Sequence, residues 1–214
     1  GAKVIFTSRD YIYQSAKGDL KESSLPVMKA SQVVINVQDI SQHEREQILY
    51  NHIKLGNQPQ SFKKEVKPFL KYIANNEKFT PEIARRLGDK FFTRELRVSK
   101  STLVNFVESP VEFLLDVLST LDKQNISALA AIFMRAGALA SPIELAESEL
   151  NALKLLGGTL DGVISSLKFL EGSLTSQSFE EGQYIWRYKH PTIRDAFAQY
   201  VAVYTLRRSL LVIQ

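Results

Sequence analysis

A hairpin followed directly by an amphipathic helix is the feature that most limits how this chain can fold. Residues 174–179 and 183–188 are strand-like, and the Glu-Glu-Gly between them is a hairpin signal. The second run leads to His190 and Pro191, and proline suits a first helical position because its missing N–H would be unpaired there. Apolar side chains then recur at helical spacing, at positions 193, 197, 200, 201 and 204. The segment therefore predicts a strand that delivers His190 to the start of a helix.

Two interpretations of His190 stay open at this point. A helix start carries unpaired backbone N–H groups that can bind an anion, and His190 would stand beside them. Alternatively, His190 only ends a hairpin and begins a packed structural helix.

Cap and proline signals predict a series of helices before the hairpin. Ser41 and Glu44 have the spacing of a capping box. Lys-rich residues 62–73 predict one amphipathic helix with a solvated or phosphate-contacting face. Further helix starts are predicted at Thr80-Pro81-Glu82 (with Arg85, Arg86 and Lys90 as the basic side), Ser109-Pro110, Asn125, Glu147 and Thr159. Ser141-Pro142 is predicted to open the capped segment that leads to Glu147. Three helices, a hairpin and a final helix, in the last ninety or so residues, is the order of a winged-helix domain.

The first forty residues predict part of a parallel sheet. Residues 3–6 and 33–37 are mainly apolar, as in strands buried on both faces, and a helix is predicted across residues 10–20. Two strands are too few for a stable open sheet, so we expect most of the sheet upstream. Arg9 follows the first strand, where it either clamps phosphate oxygens or pairs with Asp10.

Composition restricts the chemistry further. The chain has no Cys, three scattered His without metal-ligand spacing, and no apolar run long enough to span a membrane, so we expect a cytoplasmic protein without a metal site. The net charge of +4 lies entirely before residue 125. The predicted hairpin tip, Glu180 and Glu181, would repel phosphates, which disfavours nucleic acid as a partner.

The order of these segments resembles that of the STAND-type P-loop NTPases, the apoptotic, plant-resistance and bacterial signalling ATPases. The likeness is closest to the novel STAND branch of bacterial sensors. It is carried along nearly the whole chain by VIFTSRDYIYQSAK, ISQHERE with QILYNHI, TPEIARRL, SPVEFLLDVL and HPTIRD.

This resemblance implies a mainly α fold in three parts. Residues 1–40 would be the two-strand remnant of a parallel α/β NTPase sheet, residues 41–123 a helical lid bundle, and residues 124–214 a winged-helix domain with its β-hairpin. Arg9 resembles the sensor-1 arginine that reads the terminal phosphate. Pro81 resembles the lid proline that packs on adenine, and His190 the histidine that contacts the β-phosphate of ADP. Pro-Thr follows His190, where the family's better-known motif has Asp.

The resemblance also implies a nucleotide-dependent signalling and oligomerisation switch. ATP or ADP with Mg²⁺ would bind in the full-length parent, with an upstream P-loop domain of the same protein as partner and a homo-oligomer as the active form. No G-x-x-x-x-G-K-[ST] occurs in the 214 residues, so we expect this portion alone to hold no cofactor and to be inactive. Two alternatives remain: a winged-helix DNA-binding regulator and a helical protein-interaction module without nucleotide function.

Overall fold

The structure is a computed structural model that describes residues 40–211, with side chains described as far as Val203. Arg9, the predicted strands at residues 3–6 and 33–37, and the helix between them lie outside the described residues. The described part is mainly helical and contains a three-stranded antiparallel sheet. The mainly α class predicted from the sequence is therefore confirmed.

Residues 42–119 form a series of helices joined by short turns. These are α1 (Gln42–Leu55), α2 (Gln60–Val66), α3 (Leu70–Ala74), α4 (Pro81–Leu87), α5 (Lys90–Thr93), α6 (Lys100–Glu108) and α7 (Pro110–Ser119). None of the described helices combines the length and apolarity needed to cross a bilayer.

Two of the predicted cap signals begin helices as expected. The N–H of Glu44 donates to Oγ of Ser41 at 3.3 Å, and the N–H of Ser41 donates to Oε2 of Glu44 at 2.8 Å, which completes the predicted capping box. The hydroxyl of Thr80 accepts from a backbone N–H three residues on, and Pro81 is the first residue of α4. Ser109, also predicted as a cap, makes no such side-chain bond.

The single helix predicted across residues 62–73 is broken at Pro68. Helix α2 ends at Val66, a 3₁₀ turn spans Lys67–Phe69, and α3 begins at Leu70. A proline inside a helix has no N–H to donate and clashes with the carbonyl group four residues earlier. The prediction of one continuous helix is wrong because the apolar spacing continues past Pro68, which the interior of an α-helix cannot accommodate.

Residues 123–211 combine helices with the sheet. Their elements are α8 (Lys123–Met134), β1 (Leu139–Ser141), α9 (Glu147–Leu156), α10 (Leu160–Phe169), β2 (Thr175–Glu180), β3 (Gln183–Tyr188) and α11 (Pro191–Leu211). Asp122, rather than Asn125, caps α8, because its Oδ1 accepts from the N–H of Asn125 at 2.8 Å. Thr159 caps α10 as predicted.

Strand β3 is central in the sheet and pairs antiparallel with both β1 and β2. Between β2 and β3, Glu181 and Gly182 have φ angles of 49° and 86°. Positive φ at both central residues is the geometry of a tight turn whose twist matches that of the two strands. The hairpin predicted from Glu-Glu-Gly is confirmed.

Strand β1 is absent from the sequence-based prediction. Leu139 pairs with Trp186 and Ser141 with Tyr184, whereas Ser141 was predicted to open a capped segment. That prediction is wrong because three residues are too few for an alternating pattern, and because the pairing with β3 determines the conformation of this segment.

Two apolar cores organise these elements. The first is built from α1 to α4 and α6 and includes Leu49, Leu87 and Leu103. The second is built mainly from residues 126–197 and includes Leu129, Val163, Trp186 and Phe197, with Phe92 of α5 and with Leu114, Val117 and Leu118 of α7. Helix α11 also packs against α7. The apolar packing thus continues across residues 123 and 124, where a domain boundary was predicted.

Two glycines bring the ends of α1 and α4 into backbone contact. A Cβ on Gly56 would collide with the carbonyl oxygen of Gly88, and a Cβ on Gly88 with the carbonyl oxygen of His52. These are backbone atoms, so the two helices would have to separate. We expect Gly56→Ala and Gly88→Ala each to lower the free energy of unfolding, measured in urea, by about 1–3 kcal/mol.

The double variant tests whether the two glycines act at one contact. Both substitutions push the same pair of backbones apart, so the combined loss should be smaller than the sum of the single losses. Ser61→Ala, at an exposed position of α2, is the control and should change stability by less than about 0.5 kcal/mol. Fully additive losses would contradict the contact.

Candidate functional site

The candidate site lies where α4 meets the start of α11. Pro81 is the first residue of α4 and is exposed, and Glu82 follows it with its side chain 16% exposed. Residues three and four positions after Glu82 lie on the same face of the helix. Those residues are Arg85 and Arg86, so one carboxylate stands beside two guanidinium groups.

Glu82 accepts hydrogen bonds from both arginines. Nε and Nη2 of Arg85 donate to its two carboxylate oxygens, each at 2.8 Å, and Nε of Arg86 donates at 2.7 Å. Burial of Glu82 opposes its ionisation, but the hydrogen bond from Arg85 and the charges of Arg86 and Arg85 outweigh burial, so its pKa lies below the ordinary value. Glu82 is therefore ionised at neutral pH.

Arg86 is a buried cation. Its side chain is 2% exposed, and burial lowers its pKa while the charge of Glu82 raises it. An arginine keeps its proton at physiological pH even so, because its pKa in water is above about 12. The sequence predicted Arg86 on the basic, outward side of the helix, and that prediction is wrong: Arg86 lies against the ring of Phe92, 5.8 Å from its centroid.

A direct hydrogen bond connects Arg86 to the start of α11. Its Nη2 donates to Oγ1 of Thr192 at 2.6 Å. The same hydroxyl lies 2.9 Å from Nδ1 of His190. The residue predicted to contact phosphate thus shares one polar network with the helix that begins at Pro81.

Further hydrogen bonds connect α4 and α5 to the turn after α10. Arg85 donates to the carbonyl oxygens of Gly172 and Ser173 at 3.1 and 3.3 Å. The hydroxyl of Ser173 donates to Oδ2 of Asp89 at 2.8 Å. Asn57, in the loop after α1, donates to the other oxygen of Asp89 at 3.0 Å. Asp89 therefore joins the loop after α1 to the turn before the hairpin.

His52 of α1 contributes no positive charge to this site. Burial lowers its pKa below the ordinary 6.5, and the positive charge of Arg85 lowers it further, against the opposing charge of Glu82. The ring is mainly neutral at pH 7. Positive charge near Glu82 at that pH therefore comes from the two arginines.

Of the three predicted site residues, the structure describes two. The Pro81 helix and His190 meet through Glu82, Arg86 and Thr192, whereas Arg9 lies outside the described residues. Sequence reasoning missed Glu82 and Thr192 as members of the site. The spacing of Glu82 to Arg85 and Arg86 was a usable signal for ion pairs, but Thr192 had no signal apart from its place beside His190.

Comparison with known proteins gives one match. None of the curated proteins and none of the solved structures matches the chain significantly. Residues 1–55 match the family model described as novel STAND NTPase 3. Over these residues, which include all of α1, the chain is similar to the novel STAND NTPases, and this supports the resemblance found in the sequence.

Proposed function

We propose that this chain is the regulatory portion of a STAND-type ATPase and acts as a nucleotide-dependent signalling and oligomerisation switch. Residues 1–40 would complete the NTPase sheet, residues 41–123 would form the helical lid, and residues 124–214 the winged helix. The match at residues 1–55 supports the first assignment. The polar network between α4 and α11 supports a coupled lid and winged helix.

The order of elements favours a winged helix. Helix α8, strand β1, helices α9 and α10 and the β2–β3 hairpin follow in that sequence, and β1 closes the sheet beside β3. In a DNA-binding member of this class the third helix, here α10, would enter the major groove. Its exposed positions include Asp161, Ser165, Lys168 and Phe169, with one positive charge among them. This surface favours a protein partner over nucleic acid.

The observation that carries the proposal is the hydrogen-bonded path from His190 to Glu82. A ligand shifts a conformational equilibrium only by its difference in affinity for the two states. A phosphate contact at His190 would be made next to the bond between Arg86 and Thr192, which spans the two parts of the chain. Nucleotide held there would therefore stabilise the docked arrangement, and its exchange would favour release and self-association.

The residues of the site fit an anionic ligand. Two guanidinium groups share one carboxylate, so the cluster of Glu82, Arg85 and Arg86 carries a net positive charge next to His190. In the full-length parent, His190 would hold the β-phosphate of ADP, Pro81 would pack on adenine, and Arg9 would read the terminal phosphate of ATP. The nucleotide with Mg²⁺ would supply the charge that differs between the two states, and a P-loop domain of the same protein would bind the remaining phosphates.

Loss of His190 tests this function in the native protein that carries this chain with its P-loop domain. We expect His190→Ala to weaken ADP retention by about tenfold or more, the effect of losing a hydrogen bond to a charged group. Sedimentation should then show a larger fraction of oligomer.

His43→Ala is the matched control. His43 is an exposed histidine of α1 that pairs with Gln47 on its own helix, and its replacement should leave both readouts unchanged. Equal ADP affinity and equal sedimentation in His190→Ala and the wild type would disprove the proposed switch.

A further inference from the structure

Two donors converge on one nitrogen of His190. The backbone N–H of Thr192 points at Nδ1 from 3.3 Å, and the Thr192 hydroxyl lies 2.9 Å from the same atom. His190 directly precedes α11, so its ring accepts from the second helical residue in the manner of an N-terminal cap. An N–H that points at Nδ1 disfavours a hydrogen on that nitrogen.

Arg86 sets one role of the Thr192 hydroxyl, and the N–H that points at Nδ1 favours donation by that hydroxyl to the ring. A guanidinium group only donates hydrogen bonds, so Oγ1 of Thr192 accepts from Arg86 at 2.6 Å. The single hydrogen of the hydroxyl is then available for Nδ1 of His190. Arg86 thus donates a hydrogen bond to the Thr192 hydroxyl, and that hydroxyl donates one to Nδ1 of His190.

A neutral imidazole carries one hydrogen, and the nitrogen that accepts is the one that lacks it. With Nδ1 accepting, the hydrogen is on Nε2. The ring therefore has one fixed donor atom, and phosphate oxygens are acceptors of the kind that an N–H donor binds.

We propose that Thr192 is a positioning residue for His190: its backbone N–H and its hydroxyl, the latter held by the buried Arg86, together fix the ring as the Nε2–H tautomer that donates to a phosphate oxygen. This inference rests on the proposed function, because it assigns to His190 a phosphate contact. The inference adds that Nε2 of His190 is the atom that contacts phosphate, and that Thr192 and Arg86 orient the ring.

The tautomer is measured without nucleotide, on the 214-residue chain. Long-range ¹H–¹⁵N NMR spectra of the His190 ring distinguish the two neutral tautomers. We expect the Nε2–H form in the wild type and in Thr192→Ser, and a mixture of both forms in Thr192→Val, which keeps the size but removes the hydroxyl. A wild-type ring with its hydrogen on Nδ1, or an unchanged ring in Thr192→Val, would overturn the inference. If Thr192→Val does not fold, the wild-type and Thr192→Ser spectra still decide.

A double-variant cycle in the native full-length protein tests whether Thr192 acts through His190. Thr192→Val should weaken ADP retention about five- to tenfold, the effect of one hydrogen bond, and Thr192→Ser should restore it. In the His190→Ala background, Thr192→Val should have a smaller effect, due to the lost bond from Arg86 alone. An equal loss of ADP retention in the two backgrounds would overturn the positioning role.

The two tests fail differently. An Nε2–H ring combined with unchanged ADP retention in His190→Ala would disprove the proposed function, and the inference would fail with it because it depends on a phosphate contact. Weakened retention in His190→Ala combined with an Nδ1–H ring would overturn the role of Thr192 alone and leave the switch supported.

Discussion

Glu82→Ala should lower the free energy of unfolding by about 3–5 kcal/mol, the usual cost of removing one partner of a buried ion pair. The substitution leaves the guanidinium of Arg86, 2% exposed, without its carboxylate. Arg86 cannot escape by losing its proton, and Arg85 places a second positive charge on the same helix face. Urea denaturation measured by the fluorescence of Trp186, the single tryptophan and a residue of the second core, gives the value.

Glu65→Ala is the matched control for this prediction. Glu65 is exposed on α2, and its replacement should change stability by less than about 0.5 kcal/mol. Equal losses in the two variants would contradict the buried ion pair.

The same carboxylate predicts a dependence on pH. The pKa of Glu82 in the folded chain is below its ordinary value of 4.5, so the folded state binds fewer protons near that pH than the unfolded state does. The stabilisation is therefore complete above the unfolded pKa and is lost as pH falls through the folded pKa. Between about pH 5 and 3 the Glu82→Ala variant should lose less stability than the wild type.

Phe92→Ala should also cost about 3–5 kcal/mol, as large-to-small substitutions of buried aromatic residues do. Phe92 is 2% exposed and, although it lies in α5, its ring belongs to the second core. Its centroid lies 5.4 Å from the guanidinium carbon of Arg85 and 5.8 Å from that of Arg86. The substitution removes apolar contacts and two cation–π contacts at once.

Phe179→Ala is the control for Phe92→Ala, with the same change of side chain. Phe179 is 65% exposed on β2 and stacks edge-on against Tyr184. We expect its loss to cost less than about 1 kcal/mol. If the two phenylalanine variants unfold at the same urea concentration, Phe92 does not join α5 to the second core.

The elements predicted from the sequence are those decided by neighbours within about four residues. The Ser41 and Glu44 capping box, the Thr80 cap with Pro81, and the tight turn at Glu181 and Gly182 all depend on local hydrogen bonds or local backbone angles. Signals of this kind can be recognised in a short stretch of sequence, without knowledge of the rest of the fold. For this reason the start of α4 and the hairpin were predictable.

What could not be predicted depends on contacts between distant parts of the chain. Strand β1 exists because Leu139 and Ser141 pair with residues of β3, more than forty positions away. The role of Arg86 is decided by Thr192, 106 positions along the chain, and by the burial that brings them together. An arginine at that helical position is usually solvated, so only tertiary packing distinguishes Arg86 from its neighbour Arg85.

The short strand β1 has a consequence for how copies of this protein can associate. Its outer edge offers backbone groups over only three residues, Leu139–Ser141, and the next residue, Pro142, has no N–H with which to extend a ladder. Short edges that end in proline are poor templates for pairing with a strand of another molecule. The β1 edge would therefore contribute little to strand pairing between two copies of this protein.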